Sequence, residues 1–286
     1  MPTLYVVATP IGNLGDFSPR GVEVLRQVGL IAAEDTRVTR KLLSAYQIDT
    51  PLTSCHEHNQ AQKAEQLAER MAVEQMDMAL VTDAGTPCIS DPGYMLVDAA
   101  LRRGCQVIPV PGACAAVAAL SVCGRSVREF AFYGFLQRDK KGLKEKLLEM
   151  AAGVQVAVVH ESPHRVVGLL EVLQEVLPDT LVSASADLTK LHEKTLRGSP
   201  QSVAEAIAAD PYGEKREYCL VLDFTKVPPA QEETASLSPE AQLVDAMVQG
   251  MTLREAVEHL AQQGVRKNLL KSAALRLKTL LQEEGA

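Results

Sequence analysis

A run of four apolar residues, Met78–Val81, breaks at Thr82-Asp83 into Ala84-Gly85-Thr86 and reaches Asp91-Pro92-Gly93 ten residues later. So short a run, closed by turn residues, reads as a strand buried on both faces. Strands of that kind belong to parallel sheets, where crossover helices cover both sides. The turn of small residues at its carboxyl end leaves main-chain groups open to a ligand, at the place where parallel α/β folds gather their sites. Asp91-Pro92 has the form of an N-cap and first helical residue, predicting a helix over 93–103.

The same grammar repeats along the chain. Residues 4–9 are a β-rich apolar run followed by the loop 10–16, PIGNLGD, which contains glycine but does not match G-x-G-x-x-G, so a dinucleotide site is not supported. Ser18-Pro19 opens a helix that ends before Gly29. Residues 30–33 form a second strand with Glu34-Asp35-Thr36-Arg37 at its end, and Thr36 is placed to cap the next helix. His56 and His58 precede a long helix reaching about residue 75; at i, i+2 they do not share a helical face, which disfavours a metal pair. A strand over 106–110 runs into Pro111-Gly112-Ala113-Cys114-Ala115-Ala116, so two strand ends bring open backbone to one crevice.

Past residue 125, Phe132–Leu136 (FYGFL) leads to a basic stretch over 138–146 on a predicted helix. A strand over 154–159 presents Glu161 at its end, ahead of Ser162-Pro163, a second cap-plus-proline helix start. Further strands are expected over 180–186 and 218–224, with a helix opening at Ser199-Pro200 between them. Strands and helices alternate, which argues α/β in two units. The segment 225–238, TKVPPAQEETASLS, has linker composition, and only helical patterns follow it. Of three tail helices the last, 266–282, sets Leu269, Leu270, Ala273, Leu277, Leu280 and Leu281 on an apolar stripe. Its other positions include Arg266, Lys267, Lys271, Arg276 and Lys278, a one-signed face open to a nucleic-acid reading. The expected divisions are 1–112, 113–226 and 227–286.

With 4% aromatics and no Trp, the core has to be built from Val, Leu and Ala. A net charge of −7 argues against generic coating of nucleic acid, though not against a local basic face. Six cysteines without a C-x-x-C pair fit reduced thiols better than a disulfide framework or a zinc site. No segment approaches the roughly 18 apolar residues of a membrane span, and the first residues lack the form of a signal peptide. The expectation is a soluble cytoplasmic protein.

Seven segments in order carry a resemblance: TLYVVATPIGNLGD, AAEDTR, VTDAGTPCISDPG, VPGACAAVAAL, FYGFL, ESPHR and LTKLHEKTLRGSP. Together they resemble the small-subunit ribosomal RNA 2′-O-ribose methyltransferases of the tetrapyrrole methylase superfamily, over essentially the whole chain. The resemblance implies a two-domain α/β tetrapyrrole-methylase-like fold with a C-terminal helical extension, S-adenosylmethionine between the two domains, and usually a homodimer. It also implies a substrate, the ribose 2′-hydroxyl of a cytidine in the decoding region of small-subunit rRNA. Carried over residue by residue, Pro10 falls at the cofactor-facing proline of the first loop. Asp83, Ala84, Gly85, Thr86 and Ile89 fall on the central turn, with Thr86 where relatives have Asp. Cys114 and Ala115 match a pair that often includes a hydroxyl residue, so backbone has more to do there. Glu161 and Lys190 fall at the second domain's cofactor loops.

No metal is needed for such a transfer, because the sulfonium is already a strong electrophile and in-line positioning supplies much of the catalysis. A general base would assist the weakly acidic hydroxyl, with Asp35, His56 and Glu161 as candidates. Arg37, Arg40 and Arg165 are placed to hold phosphates, with Lys267, Lys271 and Lys278 of the tail extending the grip. Two other readings compete. A corrinoid C-methyltransferase shares fold and cofactor, but its relatives carry a G-P-G-D type first loop where this chain has TPIGNLGD. A non-catalytic RNA-binding assembly factor would have no reason to retain the open small-residue turns.

Overall fold

The computed structural model describes residues 1–227 and 238–283. Met1–Val227 make one compact unit, and the tail makes another.

The first sheet contains β1 (Thr3–Val7), β2 (Leu30–Ala33), β3 (Leu52–Ser54), β4 (Met78–Val81) and β5 (Gln106–Val110), all parallel, in the order β3-β2-β4-β1-β5. The central apolar run is buried on both faces, as its composition demands. Met78 and Leu80 join Leu4 and Ala32 under α3 (Gln60–Glu74) and α4 (Tyr94–Arg102). Ala79 and Val81 join Val7 and Ile31 under α1 (Pro19–Gln27) and α2 (Thr36–Ala45). The chain leaves β1 towards β2 on one side and leaves β4 towards β5 on the other. The carboxyl ends of β1 and β4 therefore flank a topological switch point, where α/β sheets hold ligands.

After β5, α5 (Ala115–Val122) packs on the second sheet, with Ala116, Ala119 and Leu120 against Val158 and Val221. That sheet comprises β6 (Ala131–Phe135), β7 (Val156–Glu161), β8 (Leu181–Ala186), β9 (Lys194–Gly198) and β10 (Tyr218–Asp223), in the order β6-β7-β10-β8-β9. Its other face is covered by α6 (Lys140–Gly153), α7 (Val166–Val176) and α8 (Pro200–Ala208). Only β6 and β7 pair in parallel; β10 runs antiparallel to β7 and β8, and β9 antiparallel to β8. Strict alternation of strand and helix therefore fails at β8–β9, where a strand follows a loop inside 187–198. Antiparallel pairing brings the start of β10 beside the end of β7, so Tyr218 faces Glu161 across the ladder.

Three expected helix starts move. Asp35, not Thr36, caps α2, accepting from the Arg37 N–H at 2.8 Å. Gly93 precedes α4, so Asp91 and Pro92 belong to the loop. Ser162-Pro163 forms a turn, and α7 begins only after Arg165.

In the tail, α9 (Pro239–Val248), α10 (Leu253–Gln262) and α11 (Lys267–Glu283) pack around Leu243, Leu260, Leu270, Ala273 and Leu277. Thr252 and Glu255 form a reciprocal capping box at α10. Leu269 departs from the expected stripe and is exposed, because it lies roughly 80° round the helix from Leu277, at the margin of the packed face. The side chains of Leu280 and Leu281, and most of the expected linker, lie outside the described residues. Among the described residues no helix is long and apolar enough to cross a membrane.

Candidate active site

The turn after β4 is held by the loop after β1. Thr9 and Gly85 pair through both main-chain groups, so Gly85 spends its N–H and C=O on Thr9 rather than on a ligand. Thr86 Oγ1 donates to Ala113 O at 3.2 Å, tying this turn to the one after β5. The loop then doubles back, with Cys88 and Ser90 both left-handed (φ +69° and +66°). Gly93 ends it at φ +129°, where an added Cβ would stand 2.7 Å from Leu80 Cδ2. Glycine is required there on both counts. Folding back in this way brings Ile89, Ser90 and Asp91 over the switch point instead of into a helix.

They close one side of a cleft of about 370 Å³, continuous with a narrower lobe of about 50 Å³ through Ile11, Ala84 and Ala115. Cys114, Gly85 and Thr86 line the narrow lobe. His160, Glu161, Leu188, Glu217, Tyr218 and Cys219 form the facing wall from the second sheet. The wall carries three carboxylates, Asp91, Glu161 and Glu217, and no Lys or Arg. A cationic sulfonium and amine suit such a wall; the pyrophosphate of a dinucleotide does not. Small residues at Ala84, Gly85 and Ala115 leave room for main chain to approach a flat adenine and ribose. The residues present fit S-adenosylmethionine.

Burial, with the charges of Glu34 and Asp83 added, raises the Asp91 carboxyl to about 6. His160 meets Phe132 and Phe135 edge-on, at ring separations of 5.1 and 5.8 Å. Its buried Nε2 has no partner, and burial lowers its pKa, so it stays neutral. Glu161 is fully buried at its side chain; Oε1 accepts from Ser162 N–H at 2.7 Å, while Oε2 has no hydrogen bond. Burial lifts the cleft thiol of Cys219 to about 12, which keeps it protonated.

The sequence-expected residues divide. Ala84, Gly85, Thr86, Ile89, Cys114, Ala115 and Glu161 come together in the cleft. Pro10 does not line it; its neighbour Ile11 does. Asp83 turns away and accepts from the Asp35 N–H at 3.0 Å. Lys190 is paired with Glu217 at 2.8 Å and Asp187 at 3.5 Å, and its stem packs so near Gly12 that an added Cβ would fall 2.6 Å from Lys190 Cγ. Its part is to join two loops.

Of the three bases expected, Asp35 is taken by Arg37, whose hydrogen bonds hold its carboxyl at about 2. His56 stands outside the cleft lining, beside His58. Arg37 is spent on Asp35, and Arg165 Nη2 donates to Leu136 O and Gln137 O at 3.1 and 3.0 Å, so neither is a free phosphate ligand. Arg40 is exposed.

Asp91 and His160 escaped the sequence reading. Asp91 passed for a helix cap, and nothing local marks the reversal that two left-handed residues produce. His160 had one available signal, its place beside Glu161 at a strand end. Tyr218 and Cys219 had none, because only the antiparallel course of β10 puts a strand's start in the cleft.

The family model for Tetrapyrrole (Corrin/Porphyrin) Methylases matches residues 3–204. A ribosomal RNA small subunit methyltransferase I from Pseudomonas aeruginosa is 40% identical over 276 residues, 96% of each chain. Its counterpart from Halalkalibacterium halodurans is 41% identical, over 91% of this chain and 89% of that one. Among solved structures, uroporphyrin-III C-methyl transferase from Thermus thermophilus, complexed with S-adenosyl homocysteine, shares the fold. Its TM-score is 0.54 at 18% identity, covering 77% of this chain and 97% of that one. A cleft built for a cationic methyl donor thus sits in a chain that belongs to the ribosomal RNA small subunit methyltransferase I family of the tetrapyrrole methylases.

Proposed function

We propose that this S-adenosylmethionine-dependent methyltransferase modifies the ribose 2′-hydroxyl of a cytidine in the decoding region of small-subunit rRNA. The observation that carries the reading is the cleft at the switch point, acidic, lined by small residues and closed by Asp91. When bound, the cofactor supplies an electrophilic methyl group on sulfur. Ala84, Thr86, Cys114 and Ala115 line the narrow lobe that takes one end of it, and the wall carrying Asp91 and Glu161 faces its positive charge.

Asp91 takes the proton of the attacking hydroxyl. A carboxyl at about 6 is ionised at neutral pH yet more basic than an ordinary aspartate. His160, neutral and with a free Nε2, offers a hydrogen bond to the ribose or base. The exposed Lys267, Lys271 and Lys278 of α11, together with Arg40, grip phosphates. The enzyme works as a homodimer in the cytoplasm, on rRNA within the assembling subunit.

The test is incubation with methyl-labelled cofactor and either bare small-subunit rRNA or subunits from cells lacking the gene. Nuclease digestion and mass spectrometry then identify the product. A 2′-O-methylcytidine from the decoding region is expected. Methylation of a base, or of added precorrin in place of RNA, would overturn the proposal.

A further inference from the structure

The cleft has no Lys or Arg on its wall and so nothing to hold the backbone of an anionic polymer. A second cavity of about 400 Å³ adjoins it across Glu161, which contributes to both walls. Its rim carries Arg138 and His164, both exposed and without an acidic partner among the described residues, together with Arg165, Lys140, Glu171 and Glu175. Unlike the cleft it holds cations beside its carboxylates, and Glu175 is neutralised by Lys140 and Lys144. One side is the first turn of α7, which starts without a side-chain cap; Ser162 O takes the N–H groups of Arg165 and Val166, and those of Val167 and Gly168 are left open.

Two further observations point to an occupant. Glu161 Oε2 is buried without a hydrogen bond: Arg165 Nη2 stands 3.2 Å away, but its protons go to the two carbonyls of the β6 exit. That oxygen calls for a donor. Gly168 lies inside α7, is not left-handed, and would bring an added Cβ within 4 Å of no atom. A glycine inside a helix costs about 1 kcal/mol against alanine, and no neighbour here requires one. What its missing side chain does is keep the cavity open.

We propose that this cavity is a subsite for a nucleotide of the substrate RNA that neighbours the methylated one. Its phosphate lies against Arg138, His164 and the open N–H groups of α7, and its base covers the bare backbone at Gly168. A hydroxyl or amine of the nucleotide donates to Glu161 Oε2. A group with an anion at one end and a donor at the other is what this wall accommodates, and a nucleotide has both. The subsite rests on the RNA reading above and adds a place for a flanking residue.

Gly168→Leu and Arg138→Ala test it in the full-length protein. Leucine suits a helix and fills the cavity, so the melting temperature should hold or rise. Cofactor affinity by calorimetry should stay within about twofold, while KM for a decoding-region RNA rises about tenfold, the equivalent of one lost charged contact. Arg138→Ala should raise the same KM and reduce the slope of log affinity against log salt by about 1. An RNA KM within twofold of the parent in both variants overturns the subsite, as does a loss confined to cofactor affinity. If the parent enzyme methylates no RNA, the functional reading falls by itself. The subsite is then judged by fluorescence anisotropy with a labelled decoding-region oligoribonucleotide, and equal affinity for parent and Gly168→Leu overturns it. Competition by inorganic phosphate that Arg138→Ala abolishes, with RNA affinity unchanged, would assign the cavity to a free anion and overturn it too.

Discussion

Thr9 and Gly85 exchange two main-chain hydrogen bonds, Thr9 N–H to Gly85 O at 2.8 Å and Gly85 N–H to Thr9 O at 3.1 Å. The pair clamps the loop after β1 to the turn after β4, and both line the switch-point crevice through their neighbours Ile11 and Ala84. Gly85 sits at φ +87°, and an added Cβ would meet nothing closer than Ile11 Cγ2 at 3.5 Å. Space is available, so the cost of Gly85→Val is conformational, about 1–2 kcal/mol. The clamp would shift to relieve it and move Ala84 with it. Cofactor affinity should fall well over tenfold in a protein that still melts cooperatively. Parental affinity by calorimetry would move the cofactor out of this cleft.

Asp91→Asn should reduce turnover by ~10²–10⁴-fold, the range for losing a general base, with cofactor affinity nearly kept. In the parent, kcat/KM should climb with pH to a plateau, with its midpoint near the carboxyl at about 6. The stability effect has the opposite sign. The folded carboxyl keeps a proton that the unfolded chain releases near 4, so its contribution is greatest at low pH and is lost as pH rises through about 6. At pH 8 the asparagine variant should be the more stable by about 1 kcal/mol, allowing for solvent screening of a half-exposed group. A flat pH profile in the parent would remove Asp91 from the role of base.

Arg216 is nearly buried and donates to Asp210 Oδ2 at 2.8 Å, Asp187 Oδ2 at 2.9 Å and His192 O at 2.9 Å. It pins the loop that carries Leu188 into the cleft. Arg216→Leu leaves Asp210 with only Lys194 and Asp187 with only Lys190 as cationic partners, and should cost about 1–3 kcal/mol in urea unfolding. Cofactor affinity should weaken as the loop loosens. An unchanged midpoint would mean that solvent reaches this cluster.

Removing residues 228–286 should leave the first compact unit folded and able to bind cofactor, since the two units have separate cores. Methylation of rRNA should drop. Reversing Lys267, Lys271 and Lys278 to Glu should reproduce that drop, with an effect that shrinks as salt rises. Loss of the dimer on truncation, with charge reversal harmless, would give the tail an assembly role instead.

Met78–Val81 and Leu30–Ala33 were legible as strands to the residue, because a segment buried on both faces has to be continuously apolar. Ser18 and Ser199 were legible as caps, because a capping hydroxyl acts within three residues of itself. The small-residue turns at 84–86 and 114–115 announced the cleft for the same reason of locality. What tertiary structure decided lies beyond that reach. Asp91 became a cleft acid because Gly93, crowded by Leu80, delays the helix and turns the loop back. Tyr218 and Cys219 entered the site because β10 runs antiparallel to β7, a pairing between residues almost sixty positions apart that no local pattern encodes. Asp35 and Lys190 left it because each found a partner of opposite charge, and the pKa of a carboxyl or an amine follows its neighbours in space rather than its neighbours in the chain.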